Sequence, residues 1–300
     1  MACFSFFNTL ATSHRGASMA NDGLHTRIPP PEGLQFLQLS FPTPAKDIVL
    51  IRMNDPKTLN ALSTSRLREL DDVLSWYDDE PTLRVAIVTG AGRAFTAGAD
   101  LREWRASLDD TTRGEKFGER KGVVPFTRRK GLKPVIAAVN GFALGGGCEF
   151  AVNCDIVIAS STAKFGLPEV HVGLAPTGGV LTRIVHTAGM QVASEMVLTG
   201  RHVTAQEMHT WGIVNRVVPE EGSLLDEAVG FAQMIAKGSP DAVIAAKAGL
   251  RQAWETADVE RATEDWLATW FVKLEKGENL KEGMDAFREK RAPKWKPSKL

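Results

Sequence analysis

The sequence predicts an α/β domain with parallel strand pairing, followed by a helical carboxy-terminal third. Three observations carry this. Short apolar runs of the strand type alternate with amphipathic helix patterns between Asp47 and Gly179. Two stretches rich in glycine and alanine, 90–100 and 140–147, interrupt that alternation directly after apolar runs. From Ser194 onward helix patterns dominate, with only 213–218 strand-like among them.

Taken in order, residues 1–33 lack regular periodicity and end in Pro29, Pro30 and Pro31, so they read as a flexible extension. A core over 34–222, a helical region over 223–295 and an exposed tail over 296–300 follow from the same pattern. The run 47–53 (DIVLIRM) is a strand that ends in the turn Asn54-Asp55-Pro56. Ser63 is placed to cap a helix reaching about Tyr77, with Leu67, Leu70, Val73 and Leu74 as its buried stripe. The run 84–89 (RVAIVT) is apolar on both faces and reads as a buried strand. The following 90–100 (GAGRAFTAGAD) is too rich in small residues for a regular element, and a helix is expected over 101–107. The charged stretch 109–130, ending in Arg128-Arg129-Lys130, fits either a mobile segment over a site or a solvated helix. A strand over 134–139 leads through Asn140 and Gly141 to Gly145-Gly146-Gly147, and a helix begins at Cys148-Glu149. Strands are expected over 156–159 and up to Phe165, then helices from 176–179 and over 205–211, 224–237, 241–254 and 259–274.

Composition narrows the classes of function. At 300 residues the chain can bury a large core, and 43% hydrophobic with 24% charged residues argues against disorder over most of it. Lysine plus arginine and aspartate plus glutamate are 36 each, so no net field recruits nucleic acid or an anionic membrane. Three cysteines, Cys3, Cys148 and Cys154, are too few for a disulfide framework and lack zinc-type pairing with histidine, so no metal is expected. No apolar run reaches the roughly 18 residues needed to cross a bilayer. The chain ends in Ser298-Lys299-Leu300, a receptor-read peroxisomal address, which makes the peroxisomal import receptor an expected partner. The alternative address is the mitochondrion: the first 20 residues hold no acid and include His14 and Arg15.

Both glycine-rich turns follow apolar runs, so in a parallel sheet both lie at carboxyl ends of strands, where ligands bind. Together they can aim two backbone N–H groups at one carbonyl oxygen, each worth roughly 3 kcal/mol to a developing oxyanion. A helix start adds free N–H groups and a partial positive charge. Glu149 follows the second turn and Glu169 follows Phe165-Gly166-Leu167-Pro168, each among apolar neighbours that would raise its pKa toward the range useful for proton transfer. On spacing alone other uses stay open. A triple glycine before a helix also serves as a plain turn or a phosphate cradle, although no Gly-Lys-Ser/Thr ending follows. The glutamates fit as surface or capping residues, Asp100 as the cap of the helix from Leu101, and Cys148 as a packing residue. His171 has no Ser or Asp motif beside it.

Five motifs in order sharpen this: Asn54-Asp55-Pro56 with Asn60-Ala61-Leu62; 94–101 (AFTAGADL); 133–141 (KPVIAAVNG) with 145–149 (GGGCE); 165–169 (FGLPE); and 287–291 (FREKR). On them the chain resembles the crotonase (enoyl-CoA hydratase/isomerase) superfamily over about 47–295. The resemblance implies an α/β spiral of ββα units, a helical carboxy-terminal region that builds trimers or hexamers, and an acyl-CoA thioester as substrate. Coenzyme A is then part of the substrate, and no separate cofactor is implied. The thioester carbonyl is expected on the N–H groups of Ala99 and Gly146. Glu149 is expected to deprotonate a water for attack at C3, and Glu169 to deliver a proton to C2. Lys57, Ala97, Asp100, Leu101 and Arg102 are expected along the CoA nucleotide, with Phe287 and Lys290 closing the site. Having both glutamates favours hydration over the alternative of a Δ3,Δ2-enoyl-CoA isomerase, for which Glu169 alone would serve. A binding protein that keeps the fold is the non-enzyme alternative, disfavoured by the zero net charge. One departure stands out: 176–183 reads PTGGVLTR, closer to the carnitinyl-CoA dehydratase branch, with Thr177 where hydratases carry a glycine. A substituted or polar acyl chain is the expected consequence.

Overall fold

The computed structural model describes residues 26–42, 45–107, 125–219 and 223–300. The expected mobile segment or solvated helix over 109–130 falls mostly outside these, apart from a 3-10 turn over Pro125–Arg128 and the residues after it. An edge strand β1 (Leu37–Ser40) pairs antiparallel with β2 (Ile48–Met53), and helix α1 (Thr64–Asp79) follows. Ser63 caps α1 as predicted, its hydroxyl accepting the Arg66 N–H. Leu70, Val73 and Leu74 are buried, joined by Trp76 and Tyr77, while Leu67 is partly buried against them.

A strand–strand–helix unit is then repeated. The first is β3 (Val85–Gly90), β4 (Ala94–Thr96) and α2 (Leu101–Ser107). The second is β5 (Val135–Val139), β6 (Phe142–Leu144) and α3 (Gly146–Asn153). The third is β7 (Ile156–Ser160), β8 (Lys164–Gly166), a 3-10 turn over Pro168–Val172 and α4 (Val180–Ala188). Beyond it come α5 (Met190–Thr199), β9 (Val203–Thr204), α6 (Ala205–Thr210) and β10 (Arg216–Val218). Helices α7 (Leu224–Ala236), α8 (Pro240–Gln252), α9 (Val259–Trp266), α10 (Val272–Glu275) and α11 (Glu278–Glu289) complete the chain, with a π-turn over Leu267–Phe271 between α9 and α10.

The long strand of each unit joins one sheet, in the order β1-β2-β3-β5-β7-β10, parallel except at β1. The short strand joins a second sheet, β4-β6-β8-β9. This is the spiral of ββα units the resemblance implied. Period-two alternation divides the core: Val85 and Ile87 face α7, while Ala86 and Val88 face the larger apolar cluster. Each such Val or Ile contributes about 1.5–3 kcal/mol by leaving water.

Three expectations need correction. The stretch 90–100 does hold a regular element, β4, because Ala94, Phe95 and Thr96 are fully buried and paired with β6; three residues are too few to display a period. Helix α3 begins at Gly146 rather than Cys148, so two of the glycines lie inside it. The tail over 296–300 is exposed at Lys296 and Lys299 but is not free. The Ser298 hydroxyl donates to Asp241 Oδ1 at 2.5 Å, Lys299 Nζ reaches Glu278 Oε1 at 2.5 Å, and the Lys296 N–H donates to Asn279 Oδ1 at 2.8 Å. Asp241 and Asn279 are themselves buried, so the tail is built onto α8 and α11. At the other end, the Ile28 N–H donates to Glu80 and the Trp76 indole donates to the Ile28 carbonyl, so ordered contacts reach into the segment read as an extension.

Candidate active site

The site forms where the second sheet ends. Asn60 holds the first turn in place: its amide donates to the carbonyls of Ala94 (2.8 Å) and Phe95 (3.2 Å). The Thr96 hydroxyl donates to the Asn60 carbonyl at 2.7 Å and accepts the Gly98 N–H at 3.1 Å. A parallel bridge joins Leu62 to Ala99: the Leu62 N–H donates to Gly98 O, and the Asp100 N–H donates to Leu62 O. Because that bridge uses the groups on either side of Ala99, the N–H of Ala99 itself points the other way.

The second turn lies directly against the first. At Gly98, where φ is +84°, a β-carbon would stand 2.5 Å from the Leu144 carbonyl oxygen and 2.9 Å from the Gly146 nitrogen, so only glycine permits the approach. Gly146 opens α3, and the first N–H groups of a helix have no partner within it. The start of α3 at Gly146 therefore lies directly against the turn that carries Ala99.

The two glutamates flank this pair in different surroundings. Glu149, on the first turn of α3, is 2% exposed, and its Oε1 accepts the Gly178 N–H at 2.7 Å. Burial raises its pKa above the ordinary carboxylate value, while the N–H groups of Gly178 and Val180 and the Arg183 charge pull it back. Glu169 sits in the 3-10 turn beside Gly145, its Oε1 about 3.3 Å from where a Gly145 β-carbon would be. Its Oε2 is buried with no hydrogen-bond partner among the described residues. Burial, with the Glu149 charge adding to it, pushes the Glu169 carboxyl up to about 7. One carboxylate is thus anchored, and the other holds an oxygen free for a water or a substrate hydrogen.

The other predicted residues divide into groups. Ala97 is tied to the Lys57 turn by its N–H donating to Leu59 O at 2.9 Å, and Lys57 is exposed at that rim. Leu101 and Arg102 are exposed at the start of α2, beside the same turn. Asp100 caps α2, its Oδ1 accepting the Arg102 N–H at 2.9 Å. Thr177 is exposed in the turn next to Gly178. The single chain does not bring Phe287 and Lys290 to the glutamates: Phe287, 87% exposed, borders an apolar hollow with Leu274, Met284 and Trp295 between α8 and α11, and Lys290 ends α11. Cys148 is fully buried, its thiol pushed up by burial, as befits a packing residue. Sequence reasoning did not single out Gly178, Thr127 or Arg183. The glycine pair after Thr177 was the available signal, since a β-carbon at Gly178 would collide with the Thr127 hydroxyl and lie 2.8 Å from Glu149 Oε2.

A spiral of ββα units with two glycine-rich turns in contact and two glutamates beside them places the chain in a class of α/β spiral proteins. The chain belongs to the enoyl-CoA hydratase/isomerase family, whose family model matches residues 44–298. It is 44% identical over 279 residues to a mevalonyl-coenzyme A hydratase of Beauveria bassiana, covering 90% of this chain and 98% of that one. It is 38% identical over 247 residues to a probable mitochondrial enoyl-CoA hydratase of Dictyostelium discoideum, covering 82% and 86%. Among solved structures, an enoyl-CoA hydratase from Bacillus anthracis aligns with a TM-score of 0.78 at 34% identity, covering 88% of this chain and all of that one.

Proposed function

We propose that the protein is a hydro-lyase that adds water reversibly across the 2,3 double bond of a 2-enoyl-CoA. The observation that carries this is the unequal pair of carboxylates beside two adjacent backbone donors. The thioester oxygen accepts from Ala99 and Gly146, which draws electron density from C3. Glu149, ionised, takes a proton from water as the water oxygen bonds to C3, and the displaced electrons move onto the thioester oxygen. Glu169, protonated near neutral pH, then gives its proton to C2, which restores the carbonyl. The product is a 3-hydroxyacyl-CoA, and the reverse steps remove water. The rim formed by the exposed Lys57, Leu101 and Arg102 with the half-buried Ala97 and Asp100 suits the CoA nucleotide.

A branched, hydroxylated acyl group is the favoured substrate. Support comes from the higher identity to a mevalonyl-CoA hydratase than to a probable mitochondrial enoyl-CoA hydratase, and from Thr177, which carries a hydroxyl beside the turn that holds Glu149. A homo-oligomer accounts for Phe287 and Lys290, which in one chain face away from the glutamates and in a trimer or hexamer can close a partner's site. Ser298-Lys299-Leu300 supports a peroxisomal address read by the import receptor, which must first release the tail from Asp241 and Glu278.

The test is a panel of CoA thioesters given to purified protein. Loss of the conjugated-enone absorbance of crotonyl-CoA is expected, with higher kcat/KM on the mevalonyl-CoA and anhydromevalonyl-CoA pair. No turnover of any 2-enoyl-CoA would sink the hydro-lyase assignment. Isomerisation of a 3-enoyl-CoA that survives Glu149→Gln but not Glu169→Gln would assign an isomerase instead.

A further inference from the structure

The loop that anchors Glu149 is itself held by a cation that the chemistry above does not use. Arg183, one turn into α4, donates from Nη1 to two carbonyls: Thr127 O at 2.6 Å and Gly178 O at 3.1 Å. Gly178 presents its carbonyl to Arg183 and its N–H to Glu149, so one peptide segment links guanidinium to carboxylate. The guanidinium also lies over the Trp254 ring, 5.4 Å from its centroid, and Arg251 lies at 5.0 Å from the same ring. Arg251 is fixed in turn by Asn153 at the end of α3, Oδ1 at 2.8 Å and the carbonyl at 2.6 Å, and by Asp155 at 3.2 Å. A frame therefore runs from α3 through α8 and Trp254 to α4, and closes on the residue that grips Glu149.

We propose that Arg183 is a positioning residue for this site: by bracing the carbonyls of Thr127 and Gly178 it holds the Gly178 N–H on the Glu149 carboxylate and so makes Glu149 the base of the pair. No salt bridge joins Arg183 to Glu149 among the described residues, so the cation acts through the loop and through its field. Around it the charged groups are Glu149 on α3, Arg128 at the end of the Pro125–Arg128 turn and Arg251 on α8. Burial and the neighbouring Arg251 lower the Arg183 pKa to about 10, which leaves it cationic over the working range. Arg183 therefore favours the ionised form of Glu149, and among the described residues no cation acts likewise on Glu169, whose Oε2 lacks a partner there and suits the acid role. This rests on the hydro-lyase assignment above.

The test compares Arg183→Gln and Arg183→Lys with wild type in pH profiles of crotonyl-CoA hydration. Thermal melting and elution volume serve as the check on folding. In Arg183→Gln, kcat is expected to fall about tenfold, the effect of a displaced and less readily ionised base. The acidic limb of kcat/KM should move toward neutral pH, with KM nearly unchanged. Arg183→Lys keeps the charge but grips only one carbonyl, so its acidic limb should stay at the wild-type position while kcat falls less. A folded glutamine variant with both limbs where the wild type has them, or one whose only loss is in KM, overturns the proposal. Should the glutamine variant not fold, a lysine variant with a shifted acidic limb and unaltered kcat overturns it instead. A wild type that hydrates nothing refutes the hydro-lyase assignment; a working wild type with unmoved limbs in the variants refutes only the role of Arg183.

Discussion

Glu149 and Glu169 are chemically the same side chain, yet the two regions that hold them treat them oppositely. Around Glu149 the chain supplies a hydrogen bond from Gly178, a second N–H at Val180 and the charge of Arg183, which grips the Gly178 carbonyl. Around Glu169 it supplies burial, and it leaves one carboxylate oxygen without a partner among the described residues. On the proposed mechanism, what separates base from acid is the backbone and charge around each carboxyl, and the difference gives each glutamate its own experimental signature.

The largest effects should come from the carboxylates themselves. Glu149→Gln and Glu169→Gln are each expected to lower the hydration rate by about 100-fold or more, the scale of lost acid–base catalysis, as measured by steady-state kinetics on crotonyl-CoA. A variant of either that stays within a few fold of wild type would erase the distinction. Next comes the anchor. Gly178→Ala places a methyl against the Thr127 hydroxyl and the Glu149 carboxylate, and pushing that carboxylate off station should lower kcat by roughly 10- to 100-fold, with an overpacking loss of about 1–3 kcal/mol in unfolding.

A smaller effect concerns stability and belongs to Glu169 alone. Its folded pKa, about 7, lies above the ordinary 4.5, so it favours folding fully below the ordinary value, and that contribution is lost as pH rises through about 7. Glu169→Gln cannot ionise. Its melting temperature should exceed wild type by a few degrees at pH 8, and the advantage should vanish below pH 4.5, a trade of stability for function that a melting series can read. The smallest effect lies farthest from the site. Deleting Ser298-Lys299-Leu300 removes the hydroxyl that donates to the buried Asp241, for a loss of about 1 kcal/mol in denaturant unfolding, with unchanged activity on crotonyl-CoA; the exposed ion pair to Glu278 adds nothing measurable. A fluorescent fusion lacking those residues should stay in the cytosol.

The same contrast explains what was legible in the sequence. The glycine turns and both glutamates stand in local motifs whose neighbours reveal a strand end and a helix start, so fold and candidate groups could be read from them. The division of labour came only from the family resemblance, and the contacts that would support it did not. They run through Gly178, 29 positions from Glu149, and Arg183 beyond it, and nothing local to Glu149 records a contact that only the folded chain makes. Strands β4 and β6 escaped because three-residue strands carry no period. The tail read as exposed because its composition is basic and proline-containing, whereas its docking is decided by the buried Asp241 and Asn279, 57 positions from Ser298 in the first case.

The assignment of base to Glu149 and acid to Glu169 is tested most directly by a substrate that offers a C2 hydrogen and no leaving hydroxyl. Butyryl-CoA in heavy water, followed by NMR, reports exchange at C2, which needs the Ala99 and Gly146 donors and the carboxyl that serves C2 but no attacking water. Exchange should persist in Glu149→Gln and disappear in Glu169→Gln. Loss of exchange in Glu149→Gln with retention in Glu169→Gln would contradict the assignment and exchange the two roles.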